Sequence, residues 1–139
     1  MMNSRTLALL LIVLFTLPCQ AKERLYYVAA DEVLWEYAPQ KTNLMMGMPL
    51  TEEQSVFVRQ SDSTIGSRYK KALFREYTDA SFSALKPRPE HEQHLGLLGP
   101  MFRPEVGDTI KVVFKNQASR HYSIHPHGVF YSKANEGAM

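Results

Sequence analysis

The chain has 139 residues, a formal net charge of +2 at pH 7 and one cysteine. No block of basic residues stands out, which argues against nucleic acid as a partner. The single cysteine, Cys19, excludes zinc fingers and iron–sulfur sites, whose ligand sets need several cysteines.

The N-terminus has the three parts of a secretory signal peptide. Arg5 supplies the positive charge, residues 7–17 form an apolar run, and small side chains at Cys19 and Ala21 fit a cleavage site. The apolar run is shorter than the ~20 residues that span a bilayer, so a membrane anchor is the weaker interpretation. We therefore predict a signal peptide over residues 1–21 and an extracellular mature chain that begins at Lys22. Cleavage would also remove the only cysteine.

Strand patterns dominate the rest of the chain. In residues 25–37 the odd-numbered positions are apolar, apart from Asp31, and this period of two predicts a half-buried strand rich in aromatic residues. Residues 39–49 are predicted to form a loop and residues 55–60 a second strand. The periodicity of residues 67–78 fits a helix or a strand, and the context favours a strand.

The second half of the chain carries clearer signals. Pro87 and Pro89 predict an irregular connector over residues 86–89. Residues 109–116 alternate after a Gly-Asp turn and predict a strand, and residues 122–131 predict a further extended segment. Short strands separated by glycine and proline turns predict one all-β domain, a sandwich or barrel.

The segment 125–128, with the sequence His-Pro-His-Gly, is the strongest candidate for a site. On a strand, side chains two residues apart leave from the same face, separated by ~6.6 Å along the chain. His125 and His127 could then serve two neighbouring metal ions, or one if the strand bends. Neutral imidazole suits copper, zinc and iron. The competing interpretation is a pair of surface histidines on an edge strand.

Other residues of the same chemical types have simpler interpretations. The pair His91 and His94 is predicted to be solvated surface histidines. Thioethers suit cuprous ion, but a loop packed against the core is the preferred interpretation of the methionines at positions 45, 46 and 48. His121 is predicted to pack rather than to bind metal.

Several motifs in order resemble a known family. They are HLGLLGP at 94–100, EVGD at 105–108, KNQASR at 115–120, SIHPHGV at 123–129 and EGA at 136–138. Together they resemble the cupredoxin domains of ceruloplasmin, hephaestin and the coagulation-factor A domains. The resemblance favours a strand over residues 67–78.

The resemblance implies a cupredoxin-like Greek-key β-sandwich, with residues 22–139 as an N-terminal plastocyanin-like domain that is incomplete at its C-terminus. By the family motif, His125 would bind a type 2 copper and His127 a type 3 copper, in a trinuclear cluster shared with a domain outside this chain. A calcium site that uses the backbone carbonyl of Lys133 is implied as well. Type 1 copper needs a cysteine thiolate, so that centre is expected elsewhere in the protein.

The function implied is a secreted or membrane-anchored multicopper oxidase that oxidises ferrous to ferric iron and reduces dioxygen to water. Its partners would be the remaining cupredoxin domains of the same protein, and the fragment alone is expected to be inactive. The alternative is a non-enzymatic domain like those of coagulation factors V and VIII, which acts in protein assembly. The presence of both His125 and His127 favours the oxidase.

Overall fold

The computed structural model describes residues 21–137, and strands make up most of its regular structure. Apart from Ala21, the predicted signal peptide lies outside the described residues. In chain order the elements are β1 (Glu23–Glu36), β2 (Thr42–Asn43), β3 (Met48–Pro49), α1 (Glu52–Ser55), β4 (Gln60–Ser61), β5 (Thr64–Ile65), β6 (Arg68–Tyr77), a first 3-10 helix (Glu90–Leu95), β7 (Thr109–Asn116) and a second 3-10 helix (Lys133–Asn135). Within residues 21–137, no helix has the length and apolar character needed to cross a membrane.

The longest strand, β1, is the middle strand of a three-stranded sheet, between β6 and β7. β1 and β6 are antiparallel, in a register that runs from Tyr27 opposite Tyr77 to Glu36 opposite Arg68. This pairing explains why the ambiguous segment 67–78 is a strand, since a partner strand supplies hydrogen bonds that periodicity alone does not reveal. The three strands predicted over residues 25–37, 67–78 and 109–116 are confirmed.

The remaining strands form two small sheets, in which β2 pairs with β3 and β4 with β5. The prediction that strands dominate is confirmed. The described residues form small open sheets, and the predicted sandwich or barrel is not visible among them. The predicted loop over residues 39–49 contains the β2–β3 hairpin.

The core lies in the middle of β1, where Val28, Ala29 and Ala30 are buried together with Tyr77 of β6. Consecutive buried residues mean that both faces of β1 are covered at this point, because successive side chains point to opposite faces. The predicted half-buried strand is correct at the ends of β1 and wrong at its centre. Sequence periodicity did not predict burial on both faces, because alanine is small and is compatible with either a buried or an exposed position.

Asp31, the exception in the β1 pattern, is a buried acid with two partners on β6. Its Oδ2 atom accepts a hydrogen bond of 2.7 Å from Nε of Arg75 and one of 2.8 Å from the Tyr77 hydroxyl. Burial, and then the bond to Asp31, raise the pKa of Tyr77 above its usual value. The polar residue in an apolar pattern is therefore accommodated by charge pairing.

Backbone contacts divide the chain into two compact units. The larger unit, Tyr26–Met101 with 112–137, contains the core described above. The smaller unit contains residues 21–25 and Phe102–Lys111 and is organised around Asp108. Asp108 accepts hydrogen bonds from the backbone nitrogens of Glu105 and Lys22 and from Nε of Arg24, at 3.0, 2.9 and 2.6 Å. These bonds, in that order of effect, lower the pKa of Asp108 to about 2.

Acidification should weaken the smaller unit between about pH 4 and about pH 2. The pKa of Asp108 is about 2 in the folded chain and about 3.9 in an unfolded one. Its stabilisation is therefore present above pH ~4 and is lost as the pH falls through the folded value. Amide hydrogen exchange at Thr109 and Glu105, measured as a function of pH, would report this loss of stability. An Asp108→Asn variant with the same acid response as the wild type would contradict the assignment.

The predicted strand over residues 55–60 is wrong, because a capped helical turn forms just before it. Thr51 Oγ1 accepts a hydrogen bond from the Gln54 backbone nitrogen, and Gln54 Oε1 accepts one from the Thr51 backbone nitrogen. This capping box starts α1, and the chain then continues into a turn. Val56 and Phe57 are exposed, so their apolar character does not mark a sheet face.

Candidate metal centre

The segment that leads to the two candidate histidines is anchored directly after β7. Asn116 folds this connection by donating from Nδ2 to the Arg120 carbonyl at 2.7 Å and by accepting from the Ala118 backbone nitrogen at 2.9 Å. The Ser119 backbone nitrogen donates to Oε1 of Glu32 on β1 at 3.0 Å, and the Ser119 hydroxyl bonds to the same carboxylate oxygen. These bonds, with one from Lys70, lower the pKa of Glu32 to about 2. The loop is therefore attached to the middle strand of the sheet.

His125 and His127 lie side by side in an irregular segment. Their ring centroids are 4.7 Å apart and their planes are nearly perpendicular, at 88°. Residues 122–131, predicted as an extended segment, form no strand, so the arrangement of two side chains on one strand face does not apply. Pro126 lacks a ladder donor and Gly128 has a φ of 72°, which explains the break. The structure nevertheless brings the two rings together.

The orientation of the His125 ring is fixed by a backbone carbonyl. Its Nδ1 atom is 2.6 Å from the carbonyl oxygen of Glu136. Since a carbonyl only accepts, Nδ1 is the donor in this contact, and in the neutral ring it is Nε2 that has the free lone pair. Metal-binding histidines commonly have this arrangement, with one nitrogen held by an acceptor and the other available to the metal.

Gly137 allows the chain to approach His125 this closely. Its φ is 69°, and a Cβ atom placed on it would overlap the carbonyl oxygen of Ile124. The EGA motif thus has a structural role that sequence reasoning missed: Glu136 supplies the carbonyl and Gly137 the space. The motif itself was the only available signal, and it did not show which residue it would contact.

The two histidines do not form a complete set of metal ligands within the described residues. Among residues 21–137, no group of three histidine, cysteine or acidic side chains is placed to hold a metal ion. His125 and His127 are both exposed. The pair by itself therefore offers two imidazoles and no third ligand of these types.

Lys133, the predicted calcium ligand, begins the second 3-10 helix. Its carbonyl oxygen accepts a hydrogen bond of 3.3 Å from the Glu136 backbone nitrogen, and its ammonium group pairs with the Glu136 carboxylate. A carbonyl has two lone pairs, so this bond leaves one for another partner. The calcium site stays a prediction.

The other candidate residues do not gather into a site. His91 and His94 lie on the first 3-10 helix and are exposed, as predicted for surface histidines. His121 is exposed, so the prediction that it packs is wrong.

The methionine prediction also fails. Met45 is 97% exposed, and the methionines at 46 and 48 are exposed as well, so this loop is not packed against the core. The tight β2–β3 hairpin, held by a hydrogen bond from the Met46 backbone nitrogen to Asn43 Oδ1, directs the loop outward.

Comparison with known proteins gives a consistent set of relatives. The chain is 50% identical to rat (Rattus norvegicus) hephaestin over 112 residues, which is 78% of this chain and 10% of hephaestin. It is 46% identical to mouse (Mus musculus) ferroxidase HEPHL1 over 122 residues, covering 86% of this chain and 10% of the relative. With mouse ceruloplasmin the identity is 50% over 117 residues, covering 82% of this chain and 11% of the relative. The chain thus spans about a tenth of the length of these relatives. No protein-family model matches it.

Proposed function

The chain belongs to the multicopper ferroxidase family of hephaestin and ceruloplasmin, and we propose that it supplies two copper-ligating histidines to an extracellular ferroxidase. His125 is assigned to a type 2 copper and His127 to a type 3 copper. The remaining ligands of this trinuclear centre would come from other cupredoxin domains of the same protein.

The orientation of His125 is the observation that carries this proposal. Its Nδ1 atom faces the Glu136 carbonyl at 2.6 Å, so the free lone pair on Nε2 can be offered to a metal ion. The neighbouring ring of His127, with its centroid 4.7 Å away, is close enough to serve the same or an adjacent ion. Imidazole is a good ligand for copper. When bound, copper supplies the one-electron chemistry that couples iron oxidation to dioxygen reduction.

The cupredoxin fold is part of the same proposal. The described sheets are open, and Val129 and Phe130, which follow the histidines, are exposed. Val106, in the turn before β7, is 97% exposed. Exposed apolar side chains that cluster on a surface are often covered by another part of the protein or by a partner. Family membership supports closure of the sheets by further residues of the protein.

Iron, dioxygen and calcium enter as implied partners. The relatives named ferroxidases suggest ferrous iron and dioxygen as substrates. Residues 22–139 contain no cysteine, so the thiolate of a type 1 copper would come from another domain. The Lys133 carbonyl is retained as a proposed calcium ligand, and processing before Lys22 is proposed to release the protein outside the cell.

An assembly domain like those of coagulation factors V and VIII is the alternative function. Such a role would need no ligand geometry at residues 125–128. The hydrogen bond from His125 to the Glu136 carbonyl and the close approach at Gly137 favour the metal-binding role, because an assembly surface gains nothing from an oriented imidazole.

The full-length protein should oxidise ferrous iron with consumption of dioxygen. Purified protein loaded with copper would be mixed with ferrous iron while ferric iron and dissolved oxygen are both followed. Four iron ions oxidised per dioxygen consumed, as reduction to water requires, is the expected ratio. Protein that binds copper stoichiometrically but leaves ferrous iron unchanged would favour the assembly function.

The chain over residues 22–139, expressed by itself, should show neither iron oxidation nor an intense blue colour. Blue copper absorption arises from a cysteine thiolate bound to copper, and this segment has no cysteine. An absorption spectrum after addition of copper(II) tests the point. A strong band near ~600 nm, typical of thiolate-bound copper, would contradict the assignment of the type 1 centre to another domain.

A further inference from the structure

Asp108 forms a nearly closed acceptor site around the backbone nitrogen of Lys22. Its side chain is only 3% exposed. Oδ1 accepts from the Lys22 backbone nitrogen at 2.9 Å, while Oδ2 accepts from Arg24 Nε at 2.6 Å and from the Glu105 backbone nitrogen at 3.0 Å. One carboxylate thus collects three donors, and one of its two oxygens is aimed at the start of the predicted mature chain.

Lys22 is held on both sides of its backbone. Its carbonyl oxygen accepts a hydrogen bond of 2.9 Å from the Thr109 nitrogen, next to Asp108 in sequence. Two bonds from adjacent residues therefore fix the position of Lys22 before any processing occurs. Ala21 and Lys22 are both exposed, so the peptide bond between them lies at the surface.

We propose that Asp108 is the binding site for the α-ammonium group that Lys22 acquires when the chain is processed. The inference rests on the proposed function, in that processing before Lys22 belongs to secretion. The ligand is a primary ammonium group, supplied by the chain itself. A carboxylate with one oxygen already facing this nitrogen provides the opposite charge.

The chemical step is hydrolysis of the Ala21–Lys22 peptide bond. The carbon–nitrogen bond breaks, the hydroxyl of water goes to the Ala21 carbonyl carbon, and its hydrogen goes to the Lys22 nitrogen. A proton from solution then gives the ammonium form, and nothing is oxidised or reduced. The nitrogen keeps its place beside Oδ1 of Asp108 but now carries a positive charge.

Processing would therefore strengthen a contact that already exists. The Asp108 carboxylate already makes this a charge-assisted hydrogen bond, and a charged donor adds the Coulomb attraction between opposite charges. The charged groups around the site are Arg24, which shares Asp108 and also pairs with Glu105 at 3.1 Å, and the pair of Glu23 with Lys111 at 3.2 Å. Arg24 already occupies Oδ2, so the ammonium group takes Oδ1 without displacing it.

Titration of the new terminus tests the proposal. A chain released from an N-terminal fusion so that it starts at Lys22 would be reductively methylated with a carbon-13 label, and the α-amine followed by NMR against pH. We expect the α-amine pKa to lie about 1 unit above its ordinary ~7.7–8.0. Stability gained from this pair would be present below pH ~7.7 and lost as the pH rises through the raised value.

Two variants and one longer chain decide the outcome. Asp108→Asn should return the α-amine pKa to its ordinary range. Glu105→Gln changes the side chain that pairs with Arg24 and keeps the backbone bond to Asp108, so it should leave the α-amine pKa raised. A chain that starts at Ala21 should also have an α-amine pKa in the ordinary range. This chain provides the comparison if Asp108→Asn fails to fold. An ordinary pKa in the wild-type chain, or a raised one in Asp108→Asn, would overturn the proposal. Because the fusion supplies the terminus, this result is independent of N-terminal sequencing of the secreted protein, which tests the cleavage position.

Discussion

Replacing His125 or His127 with alanine should abolish dioxygen consumption by the full-length protein. Each substitution removes one imidazole from the proposed copper cluster, while the exposed positions of both residues leave the core intact. Loss of an outer-shell partner alone commonly costs about 10–100-fold in metal affinity or activity. Loss of a ligand should therefore lower the rate by more than ~100-fold.

The type 1 copper proposed for another domain would give the full-length protein a blue colour, and this colour separates a ligand role of the histidines from a structural one. Residues 22–139 contain no cysteine, so the blue centre is expected to load normally in both variants. Ferrous iron should then bleach the colour, and air should not restore it. A structural role would instead lower secretion and colour together.

His121→Ala is a matched control for this experiment. His121 is exposed and precedes the histidine pair on the same segment, so its loss tests the effect of removing any nearby imidazole. It should consume dioxygen at the wild-type rate. Normal rates in all three variants would show that the pair binds no cluster copper, and the assembly function would then be the better one.

Arg75→Ala should destabilise the chain far more than Lys70→Ala, although both remove one positive charge from β6. Arg75 pairs at 2.7 Å with Asp31, whose side chain is 7% exposed, whereas Lys70 pairs at 2.9 Å with the more accessible Glu32. Breaking a buried pair costs about 3–5 kcal/mol. Because a third of Arg75 is itself exposed, we expect about 2–3 kcal/mol for its loss.

The free energy of unfolding would be measured in urea on residues 22–139, with the single tryptophan, Trp35, as the fluorescent reporter. Trp35 lies opposite Tyr69 in the β1–β6 pair, which also contains Lys70 and Arg75. Its fluorescence therefore reports on the sheet in which the two substitutions are made. Lys70→Ala should change stability by no more than about 1 kcal/mol, as for exposed ion pairs. Equal effects of the two variants would mean that the Asp31 carboxylate remains adequately solvated without Arg75.

Strands β1 and β7 were predictable from local patterns, whereas β6 had an ambiguous pattern and depends on its pairing with β1. Alternation defines the outer parts of β1 and the whole of β7, and the predicted limits of 109–116 agree with the structure. The centre of β1 was less predictable, since its burial on both faces depends on what packs against Ala29 and Ala30. The error at residues 55–60 has a local cause: the capping box at Thr51 outweighs two valines in alternation.

At the candidate site, too, some features could be predicted from the sequence and others depend on the fold. The spacing of His125 and His127 identified the residues, but a strand geometry was assumed for them. Pro126 and Gly128, which the sequence shows plainly, break that strand, so the arrangement of the rings follows from backbone dihedral angles. The carbonyl of Glu136 could not have been found from composition, because every residue carries a carbonyl and only the fold determines which one faces His125.

The backbone contact at position 137 also has an evolutionary consequence. Every missense change in the Gly137 codon introduces a Cβ atom, and the structure places that atom against the Ile124 carbonyl in a left-handed backbone conformation. We therefore expect only glycine to be retained at this position, even though it has no side chain with which to bind, react or pack. In a saturation library of the full-length protein scored for activity, position 137 would behave like a ligand position, with a single permitted amino acid.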